Sequence, residues 1–212
     1  MGNEMKPEQF IRDKPRLVYG VGINDWVGST YDAKTGKRIP EYRLWHRMLE
    51  RAYCAKYKER NPTYKNTTVD KKWFSLTGFI AEVSSLKNYD KAINEGWNLD
   101  KDIISKGNKN YSLELCCFVP KEINVLLTNS RATRGLYPIG VCFSKRDKYY
   151  RASVKVGNKN KHLGCFDNPI DAFYAYKTAK EAHIKVVANE WKERIDPRVY
   201  EALMSYTIDI TD

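Results

Sequence analysis

The sequence predicts an α+β protein of two domains. Apolar and polar residues alternate over Tyr149–Val156, which is typical of a strand with one buried face. An amphipathic helical pattern begins near Pro169, and the first half of the chain contains helical segments rich in aromatic residues, such as Glu41–Tyr53. The 212 residues, with fifteen tyrosines and five tryptophans, are enough to build a packed core, and this composition argues against disorder.

The positive charge of the chain is concentrated in one segment. The formal net charge is +11, and residues 131–161 hold nine lysines and arginines but a single acidic residue. Residues 162–212 hold six basic and nine acidic residues, so the excess does not extend to the rest of that half. A local excess of this kind indicates a polyanionic partner, and nucleic acid is the one we expect.

The last third of the chain, residues 131–212, is predicted to form three strands and a helix. We place the strands at about Ile139–Ser144, Tyr149–Val156 and Lys161–Phe166, with hairpin turns at the sequences KRDK and GNKN. Asp167 or Asn168 then caps a helix that has a proline in its first turn.

One helix covers only one face of a three-stranded sheet, so the other face is expected to be polar and basic. The residues predicted on the covered face are Val141, Phe143, Ala152, Val154, Leu163 and Phe166. The major groove of DNA is wide enough to admit strands, and arginine can bind guanine there with two hydrogen bonds. The predicted DNA-binding residues are Lys145, Arg146, Lys148, Arg151, Ser153, Lys155, Lys159, Lys161 and His162.

The segment Gly140–Lys180 resembles the plant ethylene-response-factor (Apetala-type) DNA-binding domain. The shared features are a GV opening, an aromatic residue before an x-A-x-V sequence, an LGxF turn and an AxxAY helix. Domains of this family also occur at the C-terminus of phage-type homing endonucleases, and their sheet lies in the major groove. The resemblance implies that Arg151, Ser153, Lys155 and His162 face DNA.

The first 130 residues divide into an N-terminal extension, 1–40, and a second unit, 41–130. Glu41–Tyr53 is predicted to be an amphipathic helix, and residues 68–83 a short strand followed by a helix whose aromatic residues are core. Asn98–Leu127 is predicted to form a strand, a Gly-Asn turn, a short strand and a helix that contains Asn124. This ββα outline resembles that of HNH nucleases, which use it to present catalytic groups to a phosphodiester.

The same unit resembles the phage HNH-type endonucleases in its spacing of residues. The matching residues are Trp45, Met48, Arg51, Tyr53, Tyr64, Val69, Trp73, Phe79, Leu99, Asp100, Gly107, Asn108, Tyr111, Ser112, Glu114, Cys116, Pro120 and Asn124. Together the two resemblances cover about residues 40–190. They imply an ancestor that cut DNA.

An HNH centre needs a histidine that activates water and side chains that hold one divalent metal. Lys101 stands at the position where HNH enzymes carry that histidine, and a lysine is a poor general base at neutral pH unless it is strongly desolvated. The candidate catalytic residues are Asp100, Asp102, Asn108 and Asn124, either vestigial or active. Asp100 and Asp102 are the candidate Mg²⁺ ligands, because alternation along a strand gives them the same face.

Another interpretation of the two aspartates remains open. They can instead be structural charges that pair with Lys101, Lys106 or Lys109.

We expect a sequence-specific double-stranded-DNA-binding protein, related to homing endonucleases, that represses transcription by occupying its site and whose nuclease activity is lost or weak. Arg43, Arg47 and Arg51 would add phosphate contacts. The alternatives are an active HNH-type endonuclease that requires Mg²⁺ and, third, an RNA-binding accessory protein. A repressor would need no cofactor.

The expected location is the cytoplasm, with nucleoid or phage DNA. No apolar run approaches the roughly 18 residues of a membrane span, so we expect no membrane partner. A homodimer is compatible with the sequence, which does not fix the oligomeric state.

Overall fold

A computed structural model describes residues 17–128, 135–157 and 159–212 of the chain. Within these residues the fold is mixed α+β. The helices are α1 Pro40–Tyr53, α2 Ala55–Arg60, α3 Leu76–Val83, α4 Tyr89–Glu95, α5 Lys121–Leu126, α6 Pro169–Trp191 and α7 Pro197–Met204. The strands are β1 Thr68–Val69, β2 Asn98–Asp100, β3 Asn110–Tyr111, β4 Cys117–Val119, β5 Val141–Ser144, β6 Tyr149–Val156 and β7 Lys159–Phe166.

The predicted helix at residues 41–53 is confirmed as α1. Its apolar side packs into the larger of two hydrophobic cores, which we call the main core. Trp45 is fully buried, and its indole nitrogen donates to the backbone carbonyl of Trp73 at 2.8 Å. The Trp73 ring in turn meets the Phe79 ring edge to face, at 5.3 Å between centroids. Because both tryptophan N–H groups find acceptors, burying these rings leaves no unsatisfied donor.

The segment after α4 contains a ββα arrangement with strands of three residues. Strands β2 and β4 pair antiparallel, with Leu99 opposite Phe118, and α5 follows β4 after Pro120. The intervening strand β3 does not join this pair, because it pairs in parallel with β1. The predicted order of strand, turn, strand and helix is therefore present, but the strand directly after the Gly-Asn turn belongs to a different two-stranded sheet.

The three-stranded antiparallel sheet predicted in the last third is confirmed, in the order β5-β6-β7. Asn168 is the residue that caps α6, and its side-chain oxygen accepts from the backbone N–H groups of Ile170 and Asp171. Helix α6 packs on one face of the sheet, where Ala152 and Val154 are buried. The close approach requires Gly140, since a Cβ at this position would collide with the Tyr176 ring.

Helix α6 belongs to two hydrophobic cores. Its first half contributes Phe173 and Tyr176 to the small core under the sheet. Its second half contributes Ile184 to the main core, where α7 also packs through Val199 and Leu203. The second half of α6 and α7 therefore pack with the N-terminal unit, and cutting the chain at residue 130 would expose these apolar side chains.

Candidate nucleic-acid interface and the Asp100 cleft

The sheet face opposite α6, which we call the open face, presents the polar residues of β6. Arg151, Ser153 and Lys155 alternate with the buried residues Ala152 and Val154, as the sequence predicts. Residues directly opposite each other in an antiparallel pair lie on the same face of the sheet. The pairing therefore adds further polar side chains and two thiols to the open face: Cys142 from β5, and Asn160, His162 and Cys165 from β7.

Arg151 lies near the middle of the open face and is held by two hydrogen bonds. Its Nη2 atom donates to Asp147 Oδ2 and to the Tyr149 hydroxyl, both at 3.0 Å. Asp147 lies in the β5–β6 hairpin and also accepts from Arg146 and from the Ser144 hydroxyl, each at 2.8 Å. The hydrogen bonds from Arg146 and Ser144 hold the pKa of Asp147 below its usual value, so the carboxylate stays ionised.

The remaining cations of the β5–β6 hairpin are exposed. Lys145 and Lys148 flank Asp147 in the turn, and Lys148 has a left-handed backbone with φ of 58°. Among the described residues, neither of them nor Lys155 forms an ion pair. The open face and its hairpin thus carry more positive charge than the single carboxylate neutralises.

Because of the register of β7, two of the residues predicted to contact DNA do not lie on the open face. Lys161 pairs with Val154 and Lys159 with Val156, so both lysines lie on the side of the sheet that α6 covers. Lys159, which the sequence places in the hairpin turn, is the first residue of the strand. Asn158 of that turn, like Arg131 and Arg134 of the basic segment, lies outside the described residues.

His162 lies on the open face because a bulge interrupts the pairing of β6 with β7. The register shifts between Ala152 and Ser153, which places Leu163 and Gly164 in succession on the covered side. His162 Nε2 consequently lies 3.7 Å from the Cys165 sulfur. The alternation of the sequence alone cannot reveal this bulge, and no sequence pattern gives a role to Cys165 or to its neighbour across β6, Cys142.

A second candidate site, the Asp100 cleft, lies between the ββα arrangement and the end of the chain. Three of the four predicted catalytic residues, Asp100, Asp102 and Asn124, line this cleft of about 380 Å³. Tyr64, which belongs to the HNH-like pattern, and Lys106 and Lys109, the possible partners of the aspartates, also line it. Tyr206 and Asp212, to which no sequence pattern gives a role, belong to its polar lining as well. Lys106 Nζ lies 2.6 Å from Asp212 Oδ2 and closes one side of the cleft.

Asp100 terminates β2 and organises the turn that follows. One of its oxygens, Oδ1, accepts from the backbone N–H groups of Asp102 and Ile103, both at 2.9 Å. Burial and the neighbouring charge of Asp102 raise the pKa of Asp100 to about 6. Because the strand ends at Asp100, the alternation from which we expected a shared strand face does not continue to Asp102.

Lys101, in the place of the HNH histidine, is enclosed by the protein. Its side chain is 6% exposed, and its ammonium nitrogen lies 2.9 Å from Asp102 Oδ2 and 3.3 Å from the carbonyl oxygen of Asn108. The centroids of the Tyr64 and Tyr111 rings lie 5.6 and 5.8 Å from the same nitrogen. This environment matches the structural alternative for Lys101 and Asp102, and it leaves the ammonium few contacts with solvent.

Asn108 holds the backbone rather than lining the cleft. Its Nδ2 donates to the carbonyls of Lys101 and Asn110 at 2.6 and 2.7 Å, and its Oδ1 accepts from the backbone N–H of Asn110. All of these bonds are local, so the side chain fixes the loop between β2 and β3.

The residues of the cleft offer a divalent metal an incomplete set of ligands. Mg²⁺ prefers carboxylate oxygens, and Asp100 and Asp102 would hold it, with the side-chain oxygen of Asn124 as a third ligand. Lys101 competes with a cation for the carboxylate of Asp102. No group of three His, Cys, Asp or Glu side chains suited to a metal occurs within residues 17–128, 135–157 and 159–212.

The three arginines predicted to contact phosphates lie on one side of α1. Arg43, Arg47 and Arg51 are spaced by four residues and line a single pocket of about 120 Å³. The rest of the lining includes Trp97, which lies between α4 and β2, and Leu99 of β2. We call this the arginine pocket.

Comparison of the chain with protein-family models, with curated proteins and with solved structures finds no match. Among the described residues, no helix combines the length and the apolar character that a membrane crossing requires.

Proposed function

We propose that the protein binds double-stranded DNA at a preferred sequence and acts as a transcriptional repressor by occupying that site. The observation that carries this proposal is the open face, on which Arg151, Ser153, Lys155 and His162 lie together without cover from α6. The protein would act in the cytoplasm, on nucleoid or phage DNA. We also propose that it is related to the homing endonucleases.

The open face suits the major groove in shape and in charge. Helix α6 supports the sheet from behind, so the strands can enter a groove that is wide enough for a β-ribbon. Arg151 is positioned by Asp147 and Tyr149 before any ligand arrives, which reduces the entropy lost when it binds a guanine. The exposed lysines Lys145 and Lys148 are suited to phosphates, which fix the register of the protein on the duplex.

We propose further that nuclease activity is lost or weak. The carrying observation is that Lys101 stands where the resemblance places a histidine and that its ammonium nitrogen lies 2.9 Å from Asp102 Oδ2. A cation in an ion pair carries no free electron pair with which to activate water. Such a repressor needs no cofactor.

The alternative is an active HNH-type endonuclease, and one observation favours it. Asp100 and Asp102, at and just after the end of β2, and Asn124 of α5 line the same cleft, although the asparagine lies far from the aspartates in the sequence. In that case Mg²⁺ would be held by the two aspartates and would supply the positive charge that stabilises the phosphodiester during cleavage.

The experiment begins with selection of bound duplexes from a random library, which gives a target sequence. A supercoiled plasmid that carries this target is then incubated with the protein and Mg²⁺ or Mn²⁺, and nicked and linear products are measured. We expect tight binding with little or no cleavage. Robust metal-dependent cutting that disappears in Asp100→Ala would establish the alternative, and the absence of any preferred duplex would overturn the proposal itself.

A further inference from the structure

The arginine pocket brings together three cations that lack a carboxylate partner. Within the described residues no acidic oxygen lies within 4 Å of a guanidinium nitrogen of Arg43, Arg47 or Arg51. The neighbouring acidic residues have other partners. In α1, Glu41 accepts from the Tyr89 hydroxyl at 3.2 Å, and Glu50, which is adjacent to Arg51 in the sequence, hydrogen-bonds to Tyr19. In α4, Glu95 pairs with Lys91 at 2.7 Å.

Arg51 lies deepest of the three and is only partly exposed. Its one hydrogen bond within the described residues goes from Nη1 to the Tyr111 hydroxyl, at 3.4 Å. Burial keeps the pKa of Tyr111 raised, so the phenol is neutral and cannot balance the charge of Arg51. A guanidinium has five N–H donors, and most of those of Arg51 therefore have no acceptor within residues 17–128, 135–157 and 159–212.

The rest of the pocket offers little that would compete for the arginine donors. It is lined largely by apolar side chains, such as Leu44, Met48 and Trp97, together with Asn98. Partial burial of the Arg51 charge without an anionic partner is unfavourable, and an anion that enters the pocket would relieve this cost. Arginines in such a cluster match the geometry of phosphate oxygens, to which they can donate two parallel hydrogen bonds each.

The arginine pocket and the Asp100 cleft lie on either side of two tyrosines. The Tyr64 ring centroid is 5.9 Å from the guanidinium carbon of Arg51 and 5.6 Å from the ammonium nitrogen of Lys101. Tyr111 bridges the same two residues, since its hydroxyl meets Arg51 and its ring faces Lys101. Tyr111 lines the pocket and Tyr64 lines the cleft, so the two sites adjoin through these side chains.

We propose that the arginine pocket is a phosphate-binding subsite for one phosphate group of a nucleic-acid strand. Its biological ligand rests on the DNA-binding proposal, but its chemistry can be tested without DNA. The phosphate comes either from the interior of a strand or from a 5′ end, and three cations should hold the doubly charged terminal group more tightly than a singly charged phosphodiester.

The first measurement titrates inorganic phosphate into the full-length protein at constant ionic strength, with calorimetry as the readout. We expect saturable binding that Arg47→Gln and Arg51→Gln each weaken about tenfold, because each removes a charge-assisted hydrogen bond. Arg47 is exposed, so its substitution leaves the fold intact. The matched control is Arg60→Gln at the end of α2, outside the pocket, which should bind phosphate as the wild type does.

The second measurement distinguishes the two sources of phosphate. A duplex with a nick carrying a 5′-phosphate is compared with the same duplex carrying a 5′-hydroxyl. A preference for the phosphorylated nick that Arg47→Gln abolishes would assign the pocket to strand ends, and equal affinity for both duplexes with equal losses in Arg47→Gln would assign it to internal phosphates.

Two results would overturn the inference. They are the absence of saturable phosphate binding by the wild type, and losses in Arg60→Gln as large as those in Arg47→Gln. Either result leaves the DNA-binding proposal standing if the protein still selects a target duplex. Conversely, phosphate binding without any duplex binding would contradict the proposed function but support the phosphate-binding subsite.

Discussion

The open face with its hairpin and the Asp100 cleft differ in how their charged groups are paired. On the open face the carboxylate of Asp147 is shared by two arginines, whereas in the cleft each charged side chain has its own ion-pair or hydrogen-bond partner. Asp147 accepts from both Arg146 and Arg151, and the lysines of the hairpin have no ion pair among the described residues. In the cleft Lys101 is matched with Asp102, and backbone N–H groups hold Asp100. Surplus charge that solvent can reach is available to a ligand, but charge satisfied within the protein mainly supports the fold.

The largest expected effect on binding comes from Arg151→Ala, which tests the open-face half of this comparison. A bidentate arginine–guanine contact contributes roughly 1–3 kcal/mol of discrimination, so the variant should lose affinity for the selected target but little for a scrambled duplex. The measurement is a pair of binding titrations at fixed salt. Lys161→Ala, on the covered side of the sheet, is the matched control and should change the discrimination little.

Equal losses on both duplexes for Arg151→Ala would mean that this residue only holds the backbone. Loss of discrimination in Lys161→Ala but not in Arg151→Ala would show that the other side of the sheet faces DNA.

Asp100→Ala tests the other half of the comparison and should reduce stability rather than binding. The substitution leaves two backbone N–H groups without their acceptor, and we expect the free energy of unfolding to fall by about 1–3 kcal/mol. Asp100→Asn retains an acceptor oxygen and is expected to lose less. Denaturant unfolding and target binding are measured on the same samples, and a large loss of affinity with unchanged stability would contradict a structural role.

Lys155→Ala should weaken all duplexes alike, because a lysine on this face is suited to phosphate rather than to a base edge. The slope of log K against log salt should fall by about one. A salt titration on target and scrambled duplexes measures this, and an effect confined to the target would show that Lys155 reads sequence.

The smallest expected effect is that of Asp147→Asn, which removes the one carboxylate of the hairpin. Binding to random DNA should tighten, since Arg146 and Arg151 lose their acidic partner, but the ratio of target to random affinity should fall, since Arg151 loses its positioning. Both affinities are measured by titration. A rise in that ratio would indicate that Asp147 hinders Arg151 instead of orienting it.

The sequence predicts most of the sheet because its signals are local. Alternation over Tyr149–Val156 identifies the buried face, and the proline after Asn168 identifies the start of α6. The bulge that turns Lys159 and Lys161 to the covered side depends on the pairing of two strands, which no single-strand pattern contains. The shared core of α6 likewise depends on contacts between distant segments, such as Ile184 with the N-terminal unit.

The sequence predicted three of the residues that line the cleft, but it did not predict the contacts that Lys101 makes beside them. The resemblance to HNH endonucleases brought Asp100, Asp102 and Asn124 together, and the structure places all three around one cleft. The enclosure of Lys101 by Tyr64 and Tyr111 could not be predicted, because these tyrosines approach from β3 and from a turn before β1.

Methylation interference on the selected target tests most directly whether the open face reads the major groove. Dimethyl sulfate modifies guanine at N7, which lies in the major groove, and adenine at N3, which lies in the minor groove. We predict that N7 methylation of at least one guanine in the target weakens binding by the wild type and has no further effect on Arg151→Ala. Interference only from adenine N3, or guanine interference that persists unchanged in Arg151→Ala, would contradict the account.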